Sequence, residues 1–273
     1  MPLLLSEFMP ILTAHTYRIG NLATPQLRAT PAALARSLLD SQRLVGHDGI
    51  ICIFDTQILV DACLIKSDGR TELREPESVP YSEPFASILN AVRALRPQLP
   101  QKVRVYSSFT GPELLLEELA MRSEDLPDAD LDYAGDVFLA AVRESFNAEA
   151  HGIAVIEKSM ATVLPQVDSL YRSANRIAEF YDGAQIVFHL PSEAPRTATS
   201  AHCSFFLQSS IRPYELVRGV GIAGTQMPFT TASDVPEDTP IQTLRELTEL
   251  AREKFIGNRP ERSDFARSEH EHD

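Results

Sequence analysis

Four short apolar runs alternate with longer amphipathic stretches through the middle of this chain. That alternation limits the fold more than any other feature. The runs are Gly49-Ile-Ile-Cys-Ile-Phe54, Lys102-Val-Arg-Val-Tyr106, Ile153-Ala-Val-Ile156 and Gln185-Ile-Val-Phe188. Short runs like these predict strands buried on both faces, as parallel strands under helices are. Helices are predicted between and around them, over Pro31–Val45, Glu83–Leu95, Pro112–Met121, Tyr133–Ala150 and Val167–Tyr181. The first has Thr30 as its N-cap, Pro31 at its first position and Gly46 as its stop; Pro97 ends the second. Strand–helix alternation predicts an α/β fold with a parallel sheet. No GxGxxG or GxxxxGK[ST] loop follows any run, so open nucleotide-binding sheets lose their fingerprint. A (β/α)8 TIM-type barrel is the architecture expected.

The last third breaks the pattern. Apolar runs recur at Cys203–Leu207 and Leu216–Ile222, with no long helical stretch between them. A parallel crossover needs a dozen or more residues, usually helical. The barrel is therefore expected to be trimmed or irregular between Leu190 and Gln226. A helix returns over Pro240–Phe255, where Ile241, Leu244, Leu247, Leu250 and Ala251 form one apolar face. Residues 1–256 read as a single domain and residues 257–273, which are polar, as a flexible C-terminal tail.

Charge and composition narrow the partners. The 273 residues carry a formal net charge of −13. Nucleic acid is not an expected partner, because its phosphates require a basic surface. No apolar stretch is long enough to span a membrane as a helix. The apolar segment Met1–Pro10 has no basic residue, contains Glu7 and is interrupted by two prolines, so it is not expected to act as a secretory signal. Three scattered cysteines, Cys52, Cys63 and Cys203, with no CxxC spacing, fit a reducing compartment and a cytoplasmic location. An incomplete barrel leaves strand edges to cover, so a homodimer is expected.

Polar residues stand just after the predicted strands: Asp55, then Ser107, Ser108 and Thr110, then Glu157, then His189, then Thr230, Thr231, Ser233 and Asp234. In a parallel barrel all strand carboxyl ends open on one face, which holds the site. Each such residue can equally cap the helix that follows it, and Lys158 can neutralise Glu157 in a plain ion pair.

These segments resemble the uroporphyrinogen decarboxylase superfamily. Asp48-Gly-Ile-Ile-Cys-Ile-Phe-Asp-Thr-Gln-Ile-Leu-Val-Asp-Ala62 is similar to its strand ending at an Asp and leading into an I-L-x-x-x-D-A helix. Ser108-Phe-Thr-Gly-Pro-Glu-Leu-Leu115 resembles its TGP turn. Glu149-Ala-His-Gly-Ile-Ala-Val-Ile-Glu157 resembles its A-G-A-x-x-I-x-I-x-[DE] segment, and Thr230-Thr-Ala-Ser-Asp-Val-Pro-Glu-Asp-Thr-Pro240 its closing run. The resemblance implies a (β/α)8 barrel and one of two chemistries. One is decarboxylation without a cofactor, in which an Asp at the mouth, here Asp55, stabilises a cationic ring. The other is methyl transfer between a corrinoid or thiol and a substrate, using zinc held by His and Cys. Asp55, Glu157 and His189 are thereby the expected catalytic residues, and Arg18, Ser108, Thr110, Thr231 and Asp234 the expected contacts to a small-molecule substrate. The family's arginine-rich N-terminal segment is replaced by His15-Thr-Tyr-Arg-Ile-Gly-Asn21, with one arginine. A substrate smaller or less anionic than uroporphyrinogen is expected, because each carboxylate wants a cationic partner. The His-x-Cys of the methyltransferases reads His189-Leu-Pro191, and position 232 is Ala. His202 and Cys203 are adjacent and would point to opposite faces of a strand. Zinc is therefore the alternative and no cofactor is the expectation, and a degenerate barrel that binds a ligand without chemistry is the further alternative.

Overall fold

A computed structural model describes residues 7–20, 30–68, 70–122, 129–157, 165–181, 185–189, 204–207, 214–218, 220–221, 229–231 and 234–255. The chain enters through a strap over Glu7–Leu12 into helix α1 (Thr13–Gly20), then α2 (Pro31–Val45). Strand β1 (Gly49–Cys52), α3 (Gln57–Cys63), a hairpin β2 (Leu64–Ser67) and β3 (Arg70–Leu73), and α4 (Phe85–Leu95) follow. Next come β4 (Arg104–Thr110), α5 (Pro112–Ala120), α6 (Leu131–Asn147), β5 (Gly152–Ile156), α7 (Pro165–Glu179) and β6 (Gln185–His189). The last elements are β7 (Ser204–Leu207), β8 (Tyr214–Arg218), β9 (Val220–Gly221), β10 (Phe229–Thr231) and α8 (Ile241–Phe255).

The four apolar runs become β1, β4, β5 and β6, which lie side by side in that order and all run parallel. Burial separates their two faces by alternation. Ile50, Cys52, Val105, Phe109, Ile153, Val155 and Ile186 join a helix-side core with Leu34, Leu38, Ile88, Val92, Phe138 and Val142. Phe85, Phe109, Phe138 and Tyr171 meet edge to face there, with successive ring centroids 5.5, 6.0 and 5.8 Å apart. Burying each such ring stabilises the fold by about 1.5–3 kcal/mol. On the second face, Ile51, Tyr106 and Ala154 pack against Met9 and Ile11 of the strap.

The antiparallel part answers the shortage of helix in the last third. β9 pairs antiparallel with β6, and β10, β8 and β7 form a separate antiparallel sheet. Antiparallel strands need only short connections, which is what the chain between Leu190 and Gln226 has room for. The described residues form a mixed α/β structure with a parallel sheet, and a closed barrel is not shown among them. Several expected boundaries move. α4 begins at Phe85, β4 continues to Thr110, and α6 starts two residues early at Leu131, where Asp130 accepts the Tyr133 N–H at 2.8 Å. The hairpin β2–β3 was not expected, although Asp68-Gly69 between two short extended runs is a hairpin signal. The tail from residue 257, most of the acidic loop from Glu124, and the His202–Cys203 pair lie outside the described residues. No described helix is long and apolar enough to cross a membrane.

The first and last described segments return to the start of β1. Arg252 on α8 donates to Asp48 at 2.5 Å and to the Gly46 carbonyl at 2.6 Å, and Arg245 donates to the Leu44 carbonyl at 2.6 Å. These guanidinium groups satisfy carbonyls left open at the end of α2. Gly46 itself stands at φ 80°, the left-handed conformation that ends this helix. Gly46→Ala meets no steric obstacle, since no atom lies within 4 Å of the added carbon. The cost is therefore backbone strain alone. The variant should lose about 1 kcal/mol, read as a lower urea midpoint at unchanged slope; a wild-type midpoint would contradict the left-handed helix end.

Candidate functional site

Because β1, β4, β5 and β6 are parallel, their carboxyl ends share one edge of the sheet, and Asp55, Thr110, Glu157 and His189 all stand along it. What each side chain does there differs.

Asp55 follows a distorted turn. Ile53 lies at φ 43°, a left-handed conformation that a β-branched residue rarely adopts. The distortion breaks the alternation: Ile53 joins the helix-side core with Cys52, and Phe54 packs against the second-face cluster. Asp55 is half-buried beyond it, and its Oδ1 accepts the Gln57 N–H at 2.8 Å, capping α3. The backbone N–H of Phe54 donates to Thr13 Oγ1 at 2.8 Å, tying the strand end to the start of α1.

Glu157 is 1% exposed and points to the helix layer. Its Oε1 accepts the Leu114 N–H at 2.9 Å and its Oε2 the Tyr171 hydroxyl at 2.6 Å. It thus supplies a cap for α5 from a neighbouring strand, because the N-cap position is Gly111 and has no side chain to do so. Gly111 is required at that place: a Cβ there would stand 2.0 Å from Glu157 Oε2. The carboxylate in turn drives the Tyr171 hydroxyl pKa upward, after burial, because a phenolate would face a second negative charge. This carboxylate, expected to be catalytic, is engaged by two structural donors, and one of them, Tyr171, had no signal in the sequence.

Arg18, Thr231 and Asp234 are gathered together, yet they join the chain's own segments. Thr231 Oγ1 accepts the Ile11 N–H at 3.0 Å, and Asp234 Oδ2 accepts the Ala14 N–H at 3.0 Å. Arg18 donates from Nη1 to the Glu237 carbonyl at 2.6 Å. Burial raises the Asp234 carboxyl to about 6, against the lowering effect of the backbone N–H groups it accepts. His189 ends β6 with its backbone in register with Ile156.

Ser107 and Thr230 are buried with hydroxyls that no described residue partners, and so are Ser108 and Thr110. Ser108 and Thr110 follow Tyr106 at alternate positions on β4, which places them on the second face, between the apolar cluster and the carboxyl edge. Both are fully buried, and neither hydroxyl has a hydrogen-bond partner among the described residues. Buried hydroxyls without partners are uncommon, and such a pair asks for an explanation.

Among the described residues no three His, Cys, Asp or Glu side chains converge on a point. Cys52 and Cys63 belong to the helix-side core, and burial pushes both thiols up to about 12, so neither is a ready thiolate.

No known protein family and no curated protein matches this sequence. Among solved structures, the fold is similar to that of a methyltransferase from Methanosarcina mazei, with a TM-score of 0.52 and 14% identity. The likeness covers 70% of this chain and 66% of that one, just under two thirds of its length. It is a likeness of fold.

The account of Glu157 predicts coupling. Glu157→Ala strands two buried donors, at about 1–3 kcal/mol each. Tyr171→Phe removes one of those donors, so the double variant should lose less stability than the sum of the single variants. Strict additivity in a denaturant cycle would refute the Glu157–Tyr171 bond.

Proposed function

We propose that this chain binds a small molecule at the carboxyl edge of its parallel sheet and acts on it as an enzyme of the uroporphyrinogen decarboxylase–methyltransferase type. The observation that carries the reading is the pair of buried, unpartnered hydroxyls of Ser108 and Thr110. A ligand oxygen or nitrogen would complete their hydrogen bonds, and the apolar floor of Ile51, Tyr106 and Ala154 beneath them would exclude water. Asp55, half-buried at the same edge, is the carboxylate in reach of a ligand there, as a proton acceptor or as counter-charge to a cation. His189, at the end of β6, is the second proton-transfer candidate.

Of the two chemistries, methyl transfer is favoured by the fold of the Methanosarcina methyltransferase. Cofactor-free decarboxylation is the second reading, favoured by the strand-end Asp55. The ligand class under decarboxylation is a carboxylated small molecule, less anionic than uroporphyrinogen. A homodimer and a cytoplasmic location belong to the same proposal.

The hydroxyls give a test with an unusual sign. Replacing an unpartnered buried hydroxyl by an apolar group of the same shape is neutral or stabilising, so Thr110→Val and Ser108→Ala should melt no lower than wild type. Both should lose about tenfold or more in affinity for a ligand bound there, equivalent to about 1.4 kcal/mol. Tetrapyrroles, small carboxylic acids and methylated donors would be titrated calorimetrically, with carbon dioxide and methyl transfer followed in parallel. A ligand that binds both variants as tightly as wild type, or variants that melt well below it, would overturn the reading.

A further inference from the structure

We propose that a cavity between the strap, α1, α2 and β1 is a binding site for one internal water molecule, held by His47 Nε2 and the Ser41 hydroxyl. The cavity is walled by Pro10 of the strap, Thr16 of α1, Leu38 and Ser41 of α2, Ile50 of β1, and His47, which precedes β1. Two of these residues carry polar atoms that call for a partner. His47 is 3% exposed and Ser41 2% exposed, and neither His47 Nε2 nor Ser41 Oγ is hydrogen-bonded among the described residues. A buried polar atom left without a hydrogen bond is costly, so most are paired with protein or with ordered water. Both of these residues face the same small space.

The His47 ring is fixed in orientation and in tautomer. Its Nδ1 stands 2.7 Å from the Gly49 carbonyl oxygen. A carbonyl only accepts, so Nδ1 carries the proton, and in the neutral ring Nε2 is a bare acceptor. The ring is neutral because burial, against the raising effects of the Gly49 carbonyl and Asp48, lowers it to about 4. The His47 carbonyl accepts the Gln42 side-chain amide at 3.2 Å, which holds the residue from the helix side. Ser41 has a local partner that it does not use. One turn earlier, Ser37 Oγ donates to the Ala33 carbonyl at 3.0 Å, whereas Ser41 makes no such bond back along the helix. The pair therefore asks for a group that donates to a nitrogen and exchanges a hydrogen bond with a hydroxyl. Size and charge select that group. The space open to the centre of a water-sized sphere is about 10 Å³, and about that much holds one water. A carboxylic acid or an oxyanion is too large for it. Among the described residues no carboxylate walls the cavity, so a metal ion or ammonium would lack a counter-charge. A water meets both demands: one O–H donates to His47 Nε2, and its oxygen accepts from Ser41. Thr16, buried on α1, brings a second hydroxyl to the wall, and internal waters make about three hydrogen bonds. Bound there, the water joins the last turns of α2 to the entry into β1, beneath the strap. The site is separate from Ser108 and Thr110 and stands whether or not a ligand binds at the carboxyl edge.

A crystal structure of the full chain, at a resolution that shows ordered water, tests the site directly. One water is expected within about 2.7–3.2 Å of both His47 Nε2 and Ser41 Oγ. In solution the same water should give magnetisation-transfer peaks to the methyl protons of Leu38 and Ile50. The His47 Nε2 nitrogen should resonate as a bare nitrogen that accepts a hydrogen bond. Ser41→Val removes the hydroxyl and fills the space with methyl groups. In that variant the water peaks should be lost and the Nε2 resonance should move downfield, while His47 Nδ1 keeps its proton and its bond to Gly49. A dry cavity in the wild-type protein would overturn the proposal without any variant. So would a Ser41 hydroxyl that donates straight to His47, an Nε2 that carries the proton, or density larger than one water. A folded Ser41→Val protein with unchanged His47 nitrogen resonances would overturn it too.

Discussion

A carboxylate accepting a backbone N–H from a distant part of the chain is the interaction on which this structure depends. Asp48 holds Phe8, Glu157 holds Leu114 and Asp234 holds Ala14. Asp55 and Asp130 make the same bond to residues two and three positions on. Helix starts and strand ends leave orphan N–H groups, and a buried orphan costs about 1–3 kcal/mol. A charged acceptor makes the stronger kind of bond. Part of the chain's acidity is thus structural, since these five carboxylates fasten segments that the apolar core alone would leave unpinned.

That use of acids alters how the carboxyl edge is read. Glu157 and Asp234 have backbone partners, and Arg18 is directed to a carbonyl. Asp234 Oδ1 lacks a partner among the described residues, as do the buried hydroxyls of Ser108 and Thr110. These two hydroxyls stand where the second face passes from an apolar floor to the ends of the parallel strands. The strap forms that floor together with the sheet, so the seating of the N-terminal segment and the shape of the candidate site are one physical question.

Much of the helix and strand content was legible locally. Pro31–Val45 is matched at both ends because Pro starts a helix and Gly46 ends it through their own backbone preferences. The parallel strands were legible because apolar residues on both faces have few other uses. The hairpin at Asp68-Gly69 was legible in principle, but its strands are short and mostly exposed, so no hydrophobic pattern advertised it.

By itself, the sequence determined the four parallel strands, the helices between them, and that the polar residues following those strands share one edge. Those outcomes depend on neighbours within a turn or two, or on the handedness common to all strand–helix–strand units. Only the tertiary structure decided what the edge residues do. Glu157 is a cap because Tyr171 and a side-chain-less Gly111 meet it, and Asp234 is one because α1 begins 220 residues away in the chain. A lone carboxylate reads the same in sequence whether it faces a ligand or an orphan N–H. The difference lies in which donor packing brings within about 3 Å.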